Sequence, residues 1–545
     1  MRPLRIVIVC WACVLLVPLV LNAQEAQPSG SISGTVIDAV TKQPVASVEI
    51  RARNLWPGYS GPHIGSATSD SGGHFVMDAL PEGRYFIFAS REGYVSHRIT
   101  GTSSRWIMLT AGQHINDLTI ELTPGAAISG HIKSIDGKPL AGVSVEVLRY
   151  FQADSGKQLR GVGEPVSTGA GGDYRISNLP SGEYYLHAVP SPKSGDPKSV
   201  PKEVFAPTYY PNALDVASAT ALTVHPGSDA AGVDITLTAV HAVTVTGRVL
   251  SVGPKPGSTP VQVSLISSQP GSFRRDAVTD ARGNFRLQGV TSGDYTLVGL
   301  VEPANSTGKA LWGQRSLHVG TTSIHNADLR IGTGVQVSGR IQVNESATVD
   351  FTHLTAALSP QGNASVTTLM PSVDNVNLMA DGSFTFNDVP EGKYLVEISP
   401  LPEGYFLKSN STADFIEDGI SISNSQSPPT LDLTLSPDAP QVTGSVLIDD
   451  MPAAGAWVVL TPQGNRRNQT RFSKRAITDS SGRFSIKGIV PGDYKILAFQ
   501  VVERNSLSDP AFLERFDDRG ESVHLREGDA PNLSMDAIPA DESVP

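Results

Sequence analysis

Val48-Glu49-Ile50-Arg51-Ala52-Arg53 alternates apolar and charged residues without a break. That period of two marks a strand with one face buried and the other in water. It returns at Val143, Val145, Val147 and at Val261, Val263, Leu265. Similar runs close each segment: Leu118, Ile120, Leu122; Val233, Ile235, Leu237; Leu431, Leu433, Leu435. Helical periodicity is almost absent. One short helix is expected over 510–519, where Pro510 suits a first turn and Phe512 and Phe516 stand four apart.

A stretch written Gly-x-Phe/Tyr, seven residues, Gly-x-Tyr punctuates these strands. Its copies are Gly73, Phe75, Gly83, Tyr85; Gly172, Tyr174, Gly182, Tyr184; Gly283, Phe285, Gly293, Tyr295; Gly382, Phe384, Gly392, Tyr394; and Gly482, Phe484, Gly492, Tyr494. They recur roughly every 100 residues, too long for a solenoid unit and right for a small domain. An Asp three residues before the first Gly (Asp70, Asp280, Asp479) predicts a tight turn. There the carboxylate bonds the backbone two residues on, and the Gly takes positive φ. A second turn (Pro81-Glu82-Gly83, Pro390-Glu391-Gly392, Pro491-Gly492) reverses the chain. Each copy therefore reads as a β-hairpin carrying two aromatics on one face.

Each unit also opens with Ser/Thr-Gly-x-Val/Ile: Ser33-Gly34, Ser129-Gly130, Thr246-Gly247, Ser338-Gly339 and Thr443-Gly444. About seven strands fit between these fixed points, which predicts a two-sheet sandwich. The expected fold is all-β, five tandem transthyretin-like or Ig-like sandwiches in an extended array after a signal peptide. The boundaries are 1–23 signal peptide, 24–30 linker, and sandwiches at 31–124, 125–240, 241–333, 334–437 and 438–545. The second carries an insertion at 190–226 with Phe205, Tyr209 and Tyr210. Joints such as Leu237–Val243, without Gly or Pro, predict stiff connections.

Arg2 and Arg5, the apolar run Ile6–Leu21 and the small residue Ala23 form a secretory signal. Both cysteines, Cys10 and Cys13, lie inside it, so the exported chain would hold no disulfide or thiolate. No later run reaches the length of a membrane span. The expected location is periplasmic, outer-surface or secreted. The 52 glycines and 39 prolines in 545 residues fit many turns between short strands. A net charge of −11 with no basic stripe argues against nucleic acid.

The combination of Ser/Thr-Gly-x-Val, the turn Gly137-Lys138-Pro139-Leu140-Ala141-Gly142-Val143, Thr-Asp-x-x-Gly-x-Phe and Gly-x-Tyr resembles the carboxypeptidase regulatory-like domain. The resemblance covers 31–538 and is clearest in the first, second and fifth units. It implies a transthyretin-like β-sandwich, grouped with carbohydrate-binding-like folds, of the kind repeated in exported bacterial proteins. It also implies accessory roles: beside metallocarboxypeptidase catalytic domains, ahead of outer-membrane receptors, or as surface proteins.

No catalytic or metal constellation emerges, so no enzyme activity and no cofactor are expected. His524-Leu525-Arg526-Glu527 has the spacing of two zinc ligands but no third, and reads as a strand end. There is no His-Glu-x-x-His, Gly-x-Ser-x-Gly or phosphate loop. Candidate contact residues are aromatics that could stack on a sugar or meet a partner: Trp56, Tyr59, Trp106, Phe205, Tyr209, Tyr210 and Trp312. The alternative for the same rings is packing at joints. Trp457 sits in an alternating strand and is assigned to core. The expected function is a non-enzymatic scaffold of the cell envelope, whose partner is an envelope protein or a glycan. The other readings are a carbohydrate-binding protein, or an accessory module of a separately encoded enzyme or outer-membrane transporter.

Overall fold

A computed structural model describes residues 29–539, apart from 55–64, 96, 100–106, 154–155, 191–201, 253–259, 304–308, 344–348, 410–414, 425, 429 and 503–505. The described residues are nearly all strand and turn. The first sandwich, together with Ser177–Ser181 and His225–Ser228, is one compact unit, and the rest of the chain is a second.

One strand plan recurs. The opening strands are Gly30–Asp38, Ala126–Ser134, Val243–Val252, Val335–Val343 and Val442–Ile448. Each neighbours the strand that follows the first turn of the repeat: His74–Leu80, Asp173–Leu179, Asn284–Val290, Ser383–Val389 and Arg483–Ile486. On its other side each runs parallel to the closing strand. This parallel approach explains the opening glycine. A Cβ on Gly34 would stand 1.9 Å from the Leu118 carbonyl oxygen, and one on Gly130 1.9 Å from that of Val233.

The tyrosine strands Gly83–Ser90, Gly182–Pro190, Gly293–Val301, Gly392–Ser399 and Gly492–Phe499 do not pair with the strands just before them. They pair instead with the second strand of the unit, as Ile50 with Ala89 and Leu265 with Leu297. The expected hairpin is thus an arch that passes from one sheet to the other. The residue six places after the first Gly is left-handed in every copy: Ala79 (φ 56°), Asn178 (61°), Gly289 (67°), Asp388 (55°) and Gly488 (64°). That conformation turns the chain out of its sheet before a two-residue hairpin can form. The tyrosine then fixes the crossing by donating to a carbonyl four residues back. Tyr85 reaches Pro81 O at 2.6 Å, Tyr295 reaches Thr291 O at 3.0 Å, Tyr394 reaches Pro390 O at 2.9 Å and Tyr494 reaches Val490 O at 2.6 Å. Tyrosine corners of this kind pin sandwich folds.

The aromatic pair therefore spans the core from both sheets. Phe75 and Tyr85 share one buried cluster, as do Phe285 and Tyr295, Phe384 and Tyr394, and Phe484 and Tyr494. Tyr174 and Tyr184 are buried in the second sandwich. The Asp turns form as read: Asp70 Oδ1 accepts from the Gly72 and His74 amides at 2.9 and 2.8 Å, and Gly73 has φ 77°. The preceding Ser or Thr also works. Thr168 Oγ1 donates to Leu140 O at 2.7 Å and accepts from Val143 N at 3.0 Å, tying the turn to the second strand.

The third sandwich departs from two separate sheets. Its strands form one ladder of seven, because Leu311–Val319 joins the layers where Trp312 pairs with Gly332. The helix expected over 510–519 is Pro510–Glu514, capped by Asp509 on Ala511 N at 2.9 Å and followed by a 3-10 turn at Asp517–Arg519. A one-turn helix at Ala364–Thr367 had no signal in the pattern. Within the insertion, the described part 202–226 adds short strands to its own sandwich: Thr208–Tyr209 and Leu222–Val224 both pair with the tyrosine strand.

Candidate functional site

The most elaborated side-chain chemistry lies at the joints between successive sandwiches of the second unit. At the second–third joint, Glu146 and His187 are cross-strand partners on the face that points away from the core. An exposed pair is the usual outcome there. Here His187 Nδ1 lies 2.7 Å from Glu146 Oε1, with side chains only 3% and 7% exposed. Tyr209 stacks on His187 with centroids 4.3 Å apart and planes 17° apart.

The cover comes from the third sandwich, whose loop between Gln262–Ser267 and Arg274–Val278 lies on this pair. Ser272 N donates to Glu146 Oε1 at 2.8 Å, and the Tyr209 hydroxyl donates to Pro270 O. Gly271 has no room for a side chain, since a Cβ would stand 2.4 Å from His187 Nδ1. Burial pushes the Glu146 carboxyl upward, but the His187 bond and charge and the Ser272 bonds outweigh it, and the group is held below its ordinary value. Burial, with the nearby Glu146 charge, raises the Tyr209 hydroxyl.

At the third–fourth joint, Trp312 is 1% exposed and packs with Ile266, Val298 and Val366. Its Nε1–H donates to Glu391 O at 3.1 Å, and Gln314 Nε2 reaches the same oxygen at 3.3 Å. Asn363 caps the short helix through Ser365 N at 2.9 Å and donates from Nδ2 to Ser267 O at 3.0 Å. The loop that seals Glu146 is therefore held from its other side by the fourth sandwich. At the fourth–fifth joint, Arg466 pairs with Glu417, and Arg471 Nη2 donates to Glu417 O at 2.8 Å. Phe472 is buried, with the Arg466 and Arg471 guanidinium carbons 5.1 and 4.8 Å from its ring centre.

These placements correct part of the reading of the aromatics. Tyr209 and Trp312 are buried at joints, so neither offers a ring face to a sugar. The reason is tertiary: a neighbouring sandwich supplies a carbonyl to each ring's polar atom. Phe205 and Tyr210 are half-buried. Trp56, Tyr59 and Trp106 lie outside the described residues. Trp457 is half-buried against a second cluster on the outer sheet face of the fifth sandwich, not in the inter-sheet core. His524 bonds Asp493 at 2.6 Å while Glu527 pairs with Lys408, so the two point to different partners. Glu146, His187, Pro270 and Asn363 gave no signal in the sequence. On a strand face or in a loop they look like ordinary solvent-facing positions, and the Phe205–Tyr210 cluster was the nearest hint.

Residues 31–123 match the family model of the carboxypeptidase regulatory-like domain. Over that range the first sandwich is similar to carboxypeptidase regulatory-like domains. Residues 242–303, the opening, second, turn and tyrosine strands of the third sandwich, match the second β-sandwich domain of proteins like NOMO1, a subunit of the BOS complex. The chain is 23% identical over 491 residues to the human BOS complex subunit NOMO2, covering 86% of this chain and 34% of that protein. It is 23% identical over 281 residues to colossin-A of Dictyostelium discoideum, covering 45% of this chain and 2% of that protein. The chain thus spans about a third of one relative and a small fraction of the other. Among solved structures, a streptococcal ancillary pilin is similar at 14% identity over 55% of this chain and 98% of that one, with a TM-score of 0.19. The Bacillus anthracis TIE protein is similar at 14% identity over 72% of this chain and 69% of that one, with a TM-score of 0.16.

Proposed function

We propose that the chain is a non-enzymatic scaffold of the cell envelope, exported by its first 23 residues and built from carboxypeptidase regulatory-like sandwiches. The observation that carries this reading is where its polar and aromatic chemistry goes. Glu146, His187, Tyr209, Trp312 and Arg466 all hold one sandwich to the next. A hydrogen-bonded pair such as Glu146–His187 could serve acid–base chemistry only if substrate reached it, and the third sandwich's loop covers it. Among the described residues no helix is long and apolar enough to cross a membrane. Phe151 and Leu214, exposed at 42% and 54%, support a partner contact on the second sandwich.

Photo-crosslinking residues placed at 151 and 214 in the full chain test this, with position 477 as a surface control. A discrete adduct with an envelope protein at 151 or 214 but not 477, on a chain whose N-terminus is Gln24, is expected. A chain retaining Met1 in the cytosol, or equal labelling at all three positions, overturns it. The glycan reading keeps Trp56, Tyr59 and Trp106, with the half-buried Phe205 and Tyr210. A glycan array probed with the exported chain and a Trp56→Ala variant separates the two, since a sugar bound only by the parent chain would favour the lectin.

A further inference from the structure

The outer face of the sheet containing the tyrosine strand meets the next sandwich in two successive sandwiches. In the second sandwich its central pair is Glu146 and His187, and the third sandwich's loop sits on it. In the third sandwich the equivalent pair is Ser264 and Val298, and Val366 of the fourth sandwich packs beside it. In both cases the tyrosine-strand residue stands five places after the glycine that starts its strand. The fourth sandwich has Ala357 and an exposed Glu397 there, and the fifth sandwich meets it elsewhere, at Glu417.

In the fifth sandwich the pair is Val459 and Leu497, with Phe499 beside them, all buried. What buries them is the chain itself. Leu507, Leu513 and Phe516, from the helical segment 506–519, pack on this face. Phe516 meets Phe499 edge to face at 5.2 Å and 87°. Polar bonds at the segment's rim include Arg467 to Asp517 at 2.8 Å, Lys495 Nζ to Asp517 O at 3.0 Å, and Arg475 to Ser508 Oγ at 2.6 Å. It is short, mostly one-turn helices, and such pieces have little stability apart from what they pack on.

We propose that the fifth sandwich keeps the same sandwich-docking face closed with its own segment 506–519, and that two copies of this chain pair through the face when the segment is displaced. The partner is a second copy because the equivalent face meets another sandwich of this same chain twice within the molecule. An apolar face of this kind does not stay in water once uncovered. Pairing through one shared patch closes as a two-fold dimer, not a filament.

The test is sedimentation velocity of the full chain across a concentration series, native against Leu513→Asp/Phe516→Asp. The double variant should dimerise with an association constant at least roughly tenfold above the native chain. Adding Phe499→Glu should return it to monomer. Hydrogen exchange confirms that 506–519 has lost protection while 492–499 has kept it. A displaced segment on a chain that stays monomeric overturns the proposal. So does association that survives Phe499→Glu, which would place the contact elsewhere. Should the double variant fail to fold, Arg467→Ala releases the Asp517 tie without touching the apolar face. It should raise dimer in the same series, and a monomer indistinguishable from native refutes the proposal equally.

Discussion

Phe384 lies across Gly339, its direct antiparallel partner, so closely that a Cβ on the glycine would come 2.2 Å from the ring's Cζ. The same pairing joins Gly247 to Phe285 and Gly444 to Phe484. The opening glycine and the turn aromatic, roughly 40 residues apart in the sequence, are thus one packing unit. Gly339→Ala should destabilise the fourth sandwich by about 1–3 kcal/mol, the usual cost of overfilling a packed site. Gly34→Ala should cost at least as much, because its obstacle is the Leu118 carbonyl and not a movable ring. Urea titrations check both, and an unchanged midpoint for Gly34→Ala would sink the close-approach account.

The tyrosine corner separates into two contributions. Tyr295→Ala removes a core ring and should cost roughly 3–5 kcal/mol. Tyr295→Phe removes only the hydroxyl that reaches Thr291 and should cost about 0.5–1.5 kcal/mol. Both belong in the full chain, since the third sandwich is clamped on both sides. Equal losses for the two variants would mean that the ring itself contributes nothing.

Five independent sandwiches would melt in separate steps. The joints argue against that for the second, third and fourth, which share the loop held between Glu146 and Asn363. Calorimetry should show these three unfolding together, and Trp312→Ala should split the fourth from the others while costing about 3–5 kcal/mol. A native trace already resolved into separate transitions for these sandwiches contradicts the coupling.

Glu146 predicts an acid limb. Its ordinary value is 4.5, and in the folded chain it is held below that. A carboxyl with a depressed folded value contributes stability that is present above about pH 4.5 and is lost as pH falls through the folded value. The second–third joint should therefore loosen below pH 4.5, seen as rising hydrogen exchange at 271–273. Glu146→Gln should flatten that dependence, and an acid limb that persists unchanged in the variant assigns it to another group.

The sequence by itself determined the repeating unit. Alternation at Val48–Arg53, the Asp70 turn, positive φ at Gly73 and buried aromatics at Phe75 and Tyr85 are local matters, set by sterics and by which residues leave water. Tertiary structure decided the rest. Whether two strands two residues apart form a hairpin or an arch depends on a left-handed residue that carries a sequence signature as Asn178, Gly289, Asp388 and Gly488 but none as Ala79. Whether Glu146, His187, Tyr209 and Trp312 face solvent depends on what a neighbouring sandwich lays over them. Those contacts join residues 60 to 130 positions apart, roughly one domain length. Period, turn chemistry and composition report a residue's own strand and carry nothing about the surface that arrives from the next domain.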